Sequence, residues 1–389
     1  MMQSRLNRTI ASWLKGRFGR GTAQVNPPAR GRTIHVIIID GTMSSLEAGD
    51  ETNAGLLAKL LGEVGNEVSL YYEPGLQWSE WRRAGDVLFG RGINRQIRRA
   101  YGYLASRYRP GDKIYLFGYS RGAYAVRSLA GVIDRVGLLR SDAATVRNIR
   151  DVYRHYECTP DGDAARIFAR NNCHESIEIE MIGAWDTVKS LGLNMPYLWR
   201  LSAARHAFHN HALGKSVKRG FHALARNETR VAYAPVMWDT GADWDGHLVQ
   251  MWFRGTHGDV GGHLTGFDAA RPLSNIPLVW MLTQAEGCDL PLPEGWSARF
   301  PQDPTAPSTG TFRGFGRWFI TRKPRKVGLD PSERVHASVA QGPAPQGWVE
   351  RMSEWRGRGA DALCAALKNA PPTVPHFSFI MMQVVEPVA

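Results

Sequence analysis

Apolar runs recur along the chain, each ending in small or polar residues and followed by a stretch with helical spacing. Thr33 to Asp40 contains IHVIIID, a near-continuous β-branched run suited to a central parallel strand buried on both faces. Thr52 and Asn53 offer capping side chains to a helix through Leu56, Leu57, Leu60 and Leu61, and Val68 to Tyr72 reads as the next strand. Beyond Glu73-Pro74-Gly75, a basic helix around Ile93 to Leu104 leads to a strand at Ile114 to Phe117, and Ala123 to Ala130 has the composition of a helix packed on a sheet. Asp142 to Arg170 reads as polar, arginine-rich helix covering the sheet, and Ile177 to Ala184 as a further strand. Phe221 to Asn227 reads as helical, with an extended segment to Trp238, and Leu248 to Phe253 as the last strong strand. This βαβα alternation predicts an α/β fold, a mostly parallel central sheet with helices on both faces.

Other stretches read as additions to that frame. Met1 to Arg32 is basic and ends in a linker carrying Asn26-Pro27-Pro28. Its Leu6, Ile10, Trp13, Leu14 and Phe18 share one helical face, which suits an anionic membrane surface; a frayed basic tail is the other reading. Asn194 to Gly220 looks inserted, and its Pro196, Tyr197, Leu198, Trp199 and Leu201 suit a lid or a membrane-contacting surface. Pro291 to Lys326, rich in proline, glycine and arginine, reads as a long surface excursion, and Phe377 to Val385 as either a closing strand or a hydrophobic cover. The expected organisation is a tail over 1–32 and one α/β domain over 33–389, with insertions near 194–220 and 291–326.

Composition narrows the partners. The 389 residues are 43% apolar, enough for a full core. A net charge of +12 favours anionic partners, but the thirteen tryptophans are not interleaved with a basic stripe and no nucleic-acid motif is visible, so nucleic acid is not expected. Cys158, Cys173, Cys288 and Cys364 lie far apart without a C-x-x-C pair, as in a reducing compartment. The adjacent Cys173 and His174 lack a second ligand pair, and His206, His209 and His211 do not share one helix face, so neither metal nor cofactor is expected. The N-terminus lacks the apolar core of a secretory signal and no run approaches the roughly 20 apolar residues of a membrane span. A chain cytoplasmic at synthesis, peripheral at most to a membrane, is the expectation.

The chemistry concentrates at Ser120. It stands between Gly118 and Gly122 where the strand meets the helix, the pattern of a nucleophile elbow, in which glycines let the two backbones approach and lift the hydroxyl above the sheet edge. Asp40-Gly41-Thr42 lies at a strand's carboxyl end on the same side. It is either a simple exit turn or half of an oxyanion hole through the N–H of Gly41 or Thr42, with the N–H of Arg121 as the other half. Asp186, after its strand in Trp185-Asp186-Thr187-Val188, is placed for a triad acid or for a turn cap. His257, on the glycine-rich exit from the last strand, is the candidate base, with His263 as rival, and Asp259 is expected to satisfy backbone donors or cap the following helix.

Taken together these blocks resemble the DUF2235 family of α/β-hydrolase domains, whose best-known members are phospholipase effectors of bacterial type VI secretion. The similar blocks are IIIDGT, Thr52-Asn53, YYEPG, GYSRGAYAVRSLAGVI, IGAWDTV, HALARNETR, WFRGTHGDVGG and RVHASV, in that order from about Thr33 to Val339. Two positions depart from the family pattern, Ile39 for phenylalanine and Asn227 for aspartate. The resemblance implies an α/β-hydrolase-like fold, Ser120 as nucleophile, Asp186 as acid and His257 as base, without a cofactor. It implies a phospholipase A-type ester hydrolase acting on glycerophospholipids, with type VI export and an immunity protein as partner if the chain is an effector. Beside that resemblance, the sequence is expected to lack the large anchoring or partner-binding regions of full effectors, so the enzyme class is expected to carry over more directly than the secretion role. An esterase of other acyl esters and a non-catalytic lipid-binding module are the alternatives. The Arg121 guanidinium is a candidate to seat a phosphate or to brace a carboxylate.

Overall fold

The computed structural model describes residues 31–75, 91–188, 212–241, 244–313, 319 and 321–341. The basic tail before residue 31, the aromatic lid candidates, His206, His209, His211, Cys364 and the apolar stretch at 377–385 lie outside them.

Seven parallel strands form one sheet: β1 (Ile34–Ile39), β2 (Val68–Glu73), β3 (Lys113–Tyr119), β4 (Met181–Trp185), β5 (Arg219–Ala225), β6 (His247–Phe253) and β7 (Glu333–Val335), in the order β2-β1-β3-β4-β5-β6-β7. The chain winds first to one side of β1 and then to the other, so the crevice between β1 and β3 is a topological switch point, where doubly wound sheets bind ligands. Alternate residues feed two cores. Ile37, Ile39, Ile114 and Leu116 pack on one face with α2 (Arg91–Arg107) and α3 (Arg121–Val136). Val36, Ile38, Tyr115 and Phe117 pack on the other with α1 (Asn53–Val64) and α7 (Arg271–Glu286). The continuous apolar runs follow from this, since each strand is covered on both faces.

Thr52 caps α1, its hydroxyl accepting the Gly55 N–H at 3.0 Å. The polar stretch after the elbow helix forms α4 (Val146–Cys158) and α5 (Asp163–Asn172). A short α6 (His257–Gly261) follows β6, and α8 (Ser338–Gln341) follows β7.

One expectation fails. The segment read as helical from Phe221 is strand β5, seated between β4 and β6. Its HALA favours helix locally, but burial on both faces hides the two-residue period and the sheet overrides propensity. The described part of the 291–326 segment is mostly exposed or half-buried, and it also buries Trp296, Ala306 and Arg325. Arg230 and Arg322 form an antiparallel bridge that ties part of this segment to the loop after β5.

Candidate active site

Register brings the first two candidate side chains together. Tyr119 and Trp185 are Cα partners at the carboxyl ends of β3 and β4, so Ser120 and Asp186, the next residues, leave neighbouring strands at the same height. Ser120 N–H donates to Trp185 O at 2.9 Å and Asp186 N–H to Ala223 O at 2.8 Å, fastening each turn to the adjacent strand. Both carry positive φ, 57° at Ser120 and 43° at Asp186, where side chains are strained by about 1–3 kcal/mol each. The elbow needs its glycines: a Cβ on Gly122 would lie 2.0 Å from Ile39 O, and one on Gly118 would lie 2.6 Å from the Ala123 nitrogen.

His257 opens α6 and completes the line. Its Nε2 is 2.9 Å from Ser120 Oγ and its Nδ1 is 2.5 Å from Asp186 Oδ2. Asp186 is fully buried, and Ser120 and His257 are only 6% and 5% exposed. With Asp186 ionised, Nδ1 carries the proton and donates it to the carboxylate, which leaves the Nε2 lone pair to accept the serine hydroxyl. Burial lowers the proton affinity of His257 and outweighs the opposing pull of Asp186, so the imidazole is neutral at pH 7. Burial works on Asp186 in the direction of protonation, but the charge and hydrogen bonds of Arg325 and His257 prevail and hold it well below the usual carboxylate range.

Residues without a sequence-level role hold this geometry. Arg325 Nη1 donates to Asp186 Oδ1 at 2.5 Å and Nη2 to Oδ2 at 2.9 Å. The His257 ring packs with the rings of Tyr119 and Tyr233, with centroids at 4.9 and 4.7 Å, and Tyr119 OH donates to His257 O at 3.2 Å. Glu228 Oε2 accepts the His257 N–H at 3.1 Å and is paired with Arg230 Nη2 at 2.6 Å. Arg230 in turn lies 4.2 Å over the Tyr233 ring. Glu228 and Arg230 fall in the HALARNETR block, a signal for their importance; Tyr233 and Arg325 have no local signal. Asn227, the departure from the family pattern, accepts the Gly255 N–H through Oδ1 at 2.8 Å and so keeps the His257 loop tied to β5.

Asp259 acts as expected: with Thr256 it forms a reciprocal capping box at the start of α6. Between the two histidines, His257 rather than His263 takes the bond to Ser120. The Gly41 N–H donates to the Asp40 carboxylate at 2.6 Å, so it is already engaged, and Thr42 is left as this loop's oxyanion candidate. The Arg121 N–H, at the first position of α3, has no carbonyl partner within its own helix. Among the described residues no carboxylate pairs with the Arg121 side chain, whose proton affinity burial lowers. Arg127, the last arginine of the elbow motif, instead donates to the carbonyls of Val236 and Met237 and lies 4.4 Å from the Trp238 ring, tying α3 to the segment beside the site.

Residues 33–284 match the family described as "T6SS, Phospholipase effector Tle1-like, catalytic domain". An uncharacterized protein of Saccharomyces cerevisiae, YEL023C, is 29% identical over 205 residues, covering 44% of this chain and 29% of that protein. Two solved structures are similar. A crystal structure of an uncharacterized protein from Pseudomonas aeruginosa has a TM-score of 0.39 and 16% identity, covering 70% of this chain and 49% of that one. The Tle1 effector bound to the VgrG spike of the type 6 secretion system has a TM-score of 0.32 and 19% identity, covering 60% and 52%. This chain therefore spans less than a third of its curated relative and about half of each solved chain. The matched segment takes up more than half of the chain and includes every residue of the Ser120, His257 and Asp186 line: the chain belongs to the Tle1-like catalytic-domain family of type VI secretion phospholipase effectors.

Proposed function

We propose that this chain hydrolyses carboxylic esters of glycerophospholipids, a phospholipase A-type activity run by a Ser120–His257–Asp186 triad. The observation that carries the reading is the continuous hydrogen-bonded line from Ser120 Oγ through the His257 ring to Asp186. His257 Nε2 takes the hydroxyl proton as Ser120 Oγ attacks the acyl carbonyl, and Asp186 stabilises the imidazolium that forms. The tetrahedral oxyanion is held by the N–H groups of Arg121 and Thr42; each such donor is worth about 10²–10³ in rate. His257 then protonates the leaving alkoxide, water enters by the reverse path, and the fatty acid is released.

The basic charge favours an anionic lipid surface. An Arg121 side chain without a carboxylate partner among the described residues supports its role as a seat for the substrate's phosphate rather than as a brace. The catalytic unit in this reading includes the 291–326 segment, because Arg325 comes from it. Type VI export and an immunity partner follow the family and belong to this proposal.

Fatty-acid release from vesicles of phosphatidylethanolamine and phosphatidylglycerol, compared with turnover of soluble short-chain esters, is the test. Ser120→Ala is expected to abolish release from vesicles while the far-UV spectrum stays that of the wild type. Undiminished release by that variant would exclude the triad, and turnover confined to soluble esters would replace the phospholipase with a general esterase.

A further inference from the structure

Arg325 lies 139 residues from Asp186 in sequence, outside the 33–284 family match, yet its side chain is buried in the triad. The route is short and ordered. Val231 N–H donates to Thr321 O at 3.1 Å and Lys323 N–H to Thr229 O at 2.7 Å, an antiparallel pairing around the Arg230 and Arg322 bridge. Pro324 then disfavours helical backbone at Lys323, which keeps the strap extended as it enters the site. Each terminal nitrogen of Arg325 is used twice: Nη1 on Asp186 Oδ1 and Ala225 O, Nη2 on Asp186 Oδ2 and Tyr233 O. One guanidinium thereby locks the acid, the end of β5 and the residue whose ring covers His257.

We propose that Arg325 is a positioning residue of the triad: its planar fork fixes both oxygens of Asp186, and its charge sets how tightly the acid holds the His257 imidazolium. The inference rests on the serine-hydrolase reading. A carboxylate facing only a histidine gives that histidine its full attraction; shared with a guanidinium, it gives less, and the base stays neutral further into acid. The other groups in this environment are Glu228, Arg230 and His263 around His257, His222 near Asp186, Arg121 near the phenols, and the Tyr119 and Tyr233 rings packed against the imidazole. Among described side chains, only Arg325 and His257 bond the Asp186 carboxylate.

The test uses the full chain. It measures the rate at which Ser120 Oγ displaces fluoride from a fluorophosphonate probe, and kcat and KM on a soluble p-nitrophenyl ester, across pH. Arg325→Gln is expected to lower kcat and labelling about 10-fold to 100-fold, a share of the 10²–10⁴ that a positioned base supplies. KM should stay within about threefold, and the acidic limb should move to higher pH, because an unshared Asp186 stabilises the imidazolium more strongly. Arg325→Lys keeps the charge without the fork, so the limb should stay at the wild-type pH while kcat recovers only in part. An Arg325→Gln protein with wild-type labelling, or with a loss uniform across pH and an unmoved limb, overturns the proposal. If Arg325→Gln does not fold, Arg325→Lys decides: reduced kcat with an unmoved limb upholds the proposal, and wild-type kcat overturns it. Labelling that persists in Ser120→Ala would sink the serine-hydrolase reading itself, an outcome distinct from either.

Discussion

Asp40 and Asp186 follow strands of the same sheet at its carboxyl edge, and both are buried, at 1% and 0% exposure, yet they ionise in opposite directions. Asp40 accepts from the Gly41 N–H at 2.6 Å, the Thr52 hydroxyl at 2.6 Å and the Tyr72 hydroxyl at 2.8 Å. These donors are all neutral, and burial, the larger influence, pushes its carboxyl up to about 6. Asp186 has as deep a burial and fewer neutral donors, but Arg325 and the imidazole hold it well below the usual range. Neutral hydrogen bonds soften the loss of water around a carboxylate; a guanidinium reverses it. The first arrangement pins a loop, and the second keeps the carboxylate beside His257 charged at neutral pH.

Neutralising each aspartate is the sharpest way to break the comparison. Asp186→Asn should lower kcat by about 10⁴, since the imidazole loses its orienting partner. It should also destabilise the fold by about 3–5 kcal/mol, because Arg325 is left buried without its counter-charge. Urea titration beside the ester assay reads both, and a stable, active Asp186→Asn protein would remove the distinction.

The same change at Asp40 is expected to act with the other sign. Its folded value lies above the roughly 3.9 of an unfolded aspartate, so its contribution is fully present below that pH and is lost as pH rises through about 6. The shift amounts to about 3 kcal/mol between acid and neutral pH. Relative to wild type, Asp40→Asn should therefore gain about that much stability on going from pH 4 to pH 8. Buried His222, held down to about 3 mainly by burial, slopes the opposite way: stability falls as pH drops below about 6.5, where the unfolded histidine charges first. That background is common to both proteins, so the difference between their curves isolates Asp40; parallel curves would refute its raised value.

The smallest effect is expected at Tyr72. Tyr72→Phe removes one neutral donor from Asp40 Oδ2 and should cost about 1 kcal/mol at neutral pH. The midpoint of the Asp40-linked change should move further up, read from the same denaturation series. A midpoint displaced downward would mean that the phenol does not stabilise the carboxylate.

Much of the site was legible in short stretches of sequence, because its main parts are local. A strand, a glycine-flanked serine and a helix are all contained within Lys113 to Ala130, and steric contact between Gly122 and Ile39 explains why that pattern is so restricted. Asp186 is ambiguous by spacing, since a turn cap and a triad acid look alike locally, and only the register that pairs Trp185 with Tyr119 sets it beside Ser120. Strand β5 was misread because a strand covered on both faces shows no alternation, and its alanines and leucine suit either state. The N–H of Gly41 was a reasonable oxyanion donor until the Asp40 carboxylate turned back onto it.

From the chain alone came the parallel α/β frame, the elbow at Ser120 and a histidine and an aspartate delivered to strand ends, all of them consequences of patterns a few residues long. The folded molecule alone brings the Tyr119 and Tyr233 rings against His257, and Arg325 onto Asp186. The physical reason is range. Hydrophobic period and backbone sterics act between near neighbours, whereas the charge that governs Asp186 comes from a residue 139 positions away, brought within 3 Å by packing that no local pattern encodes.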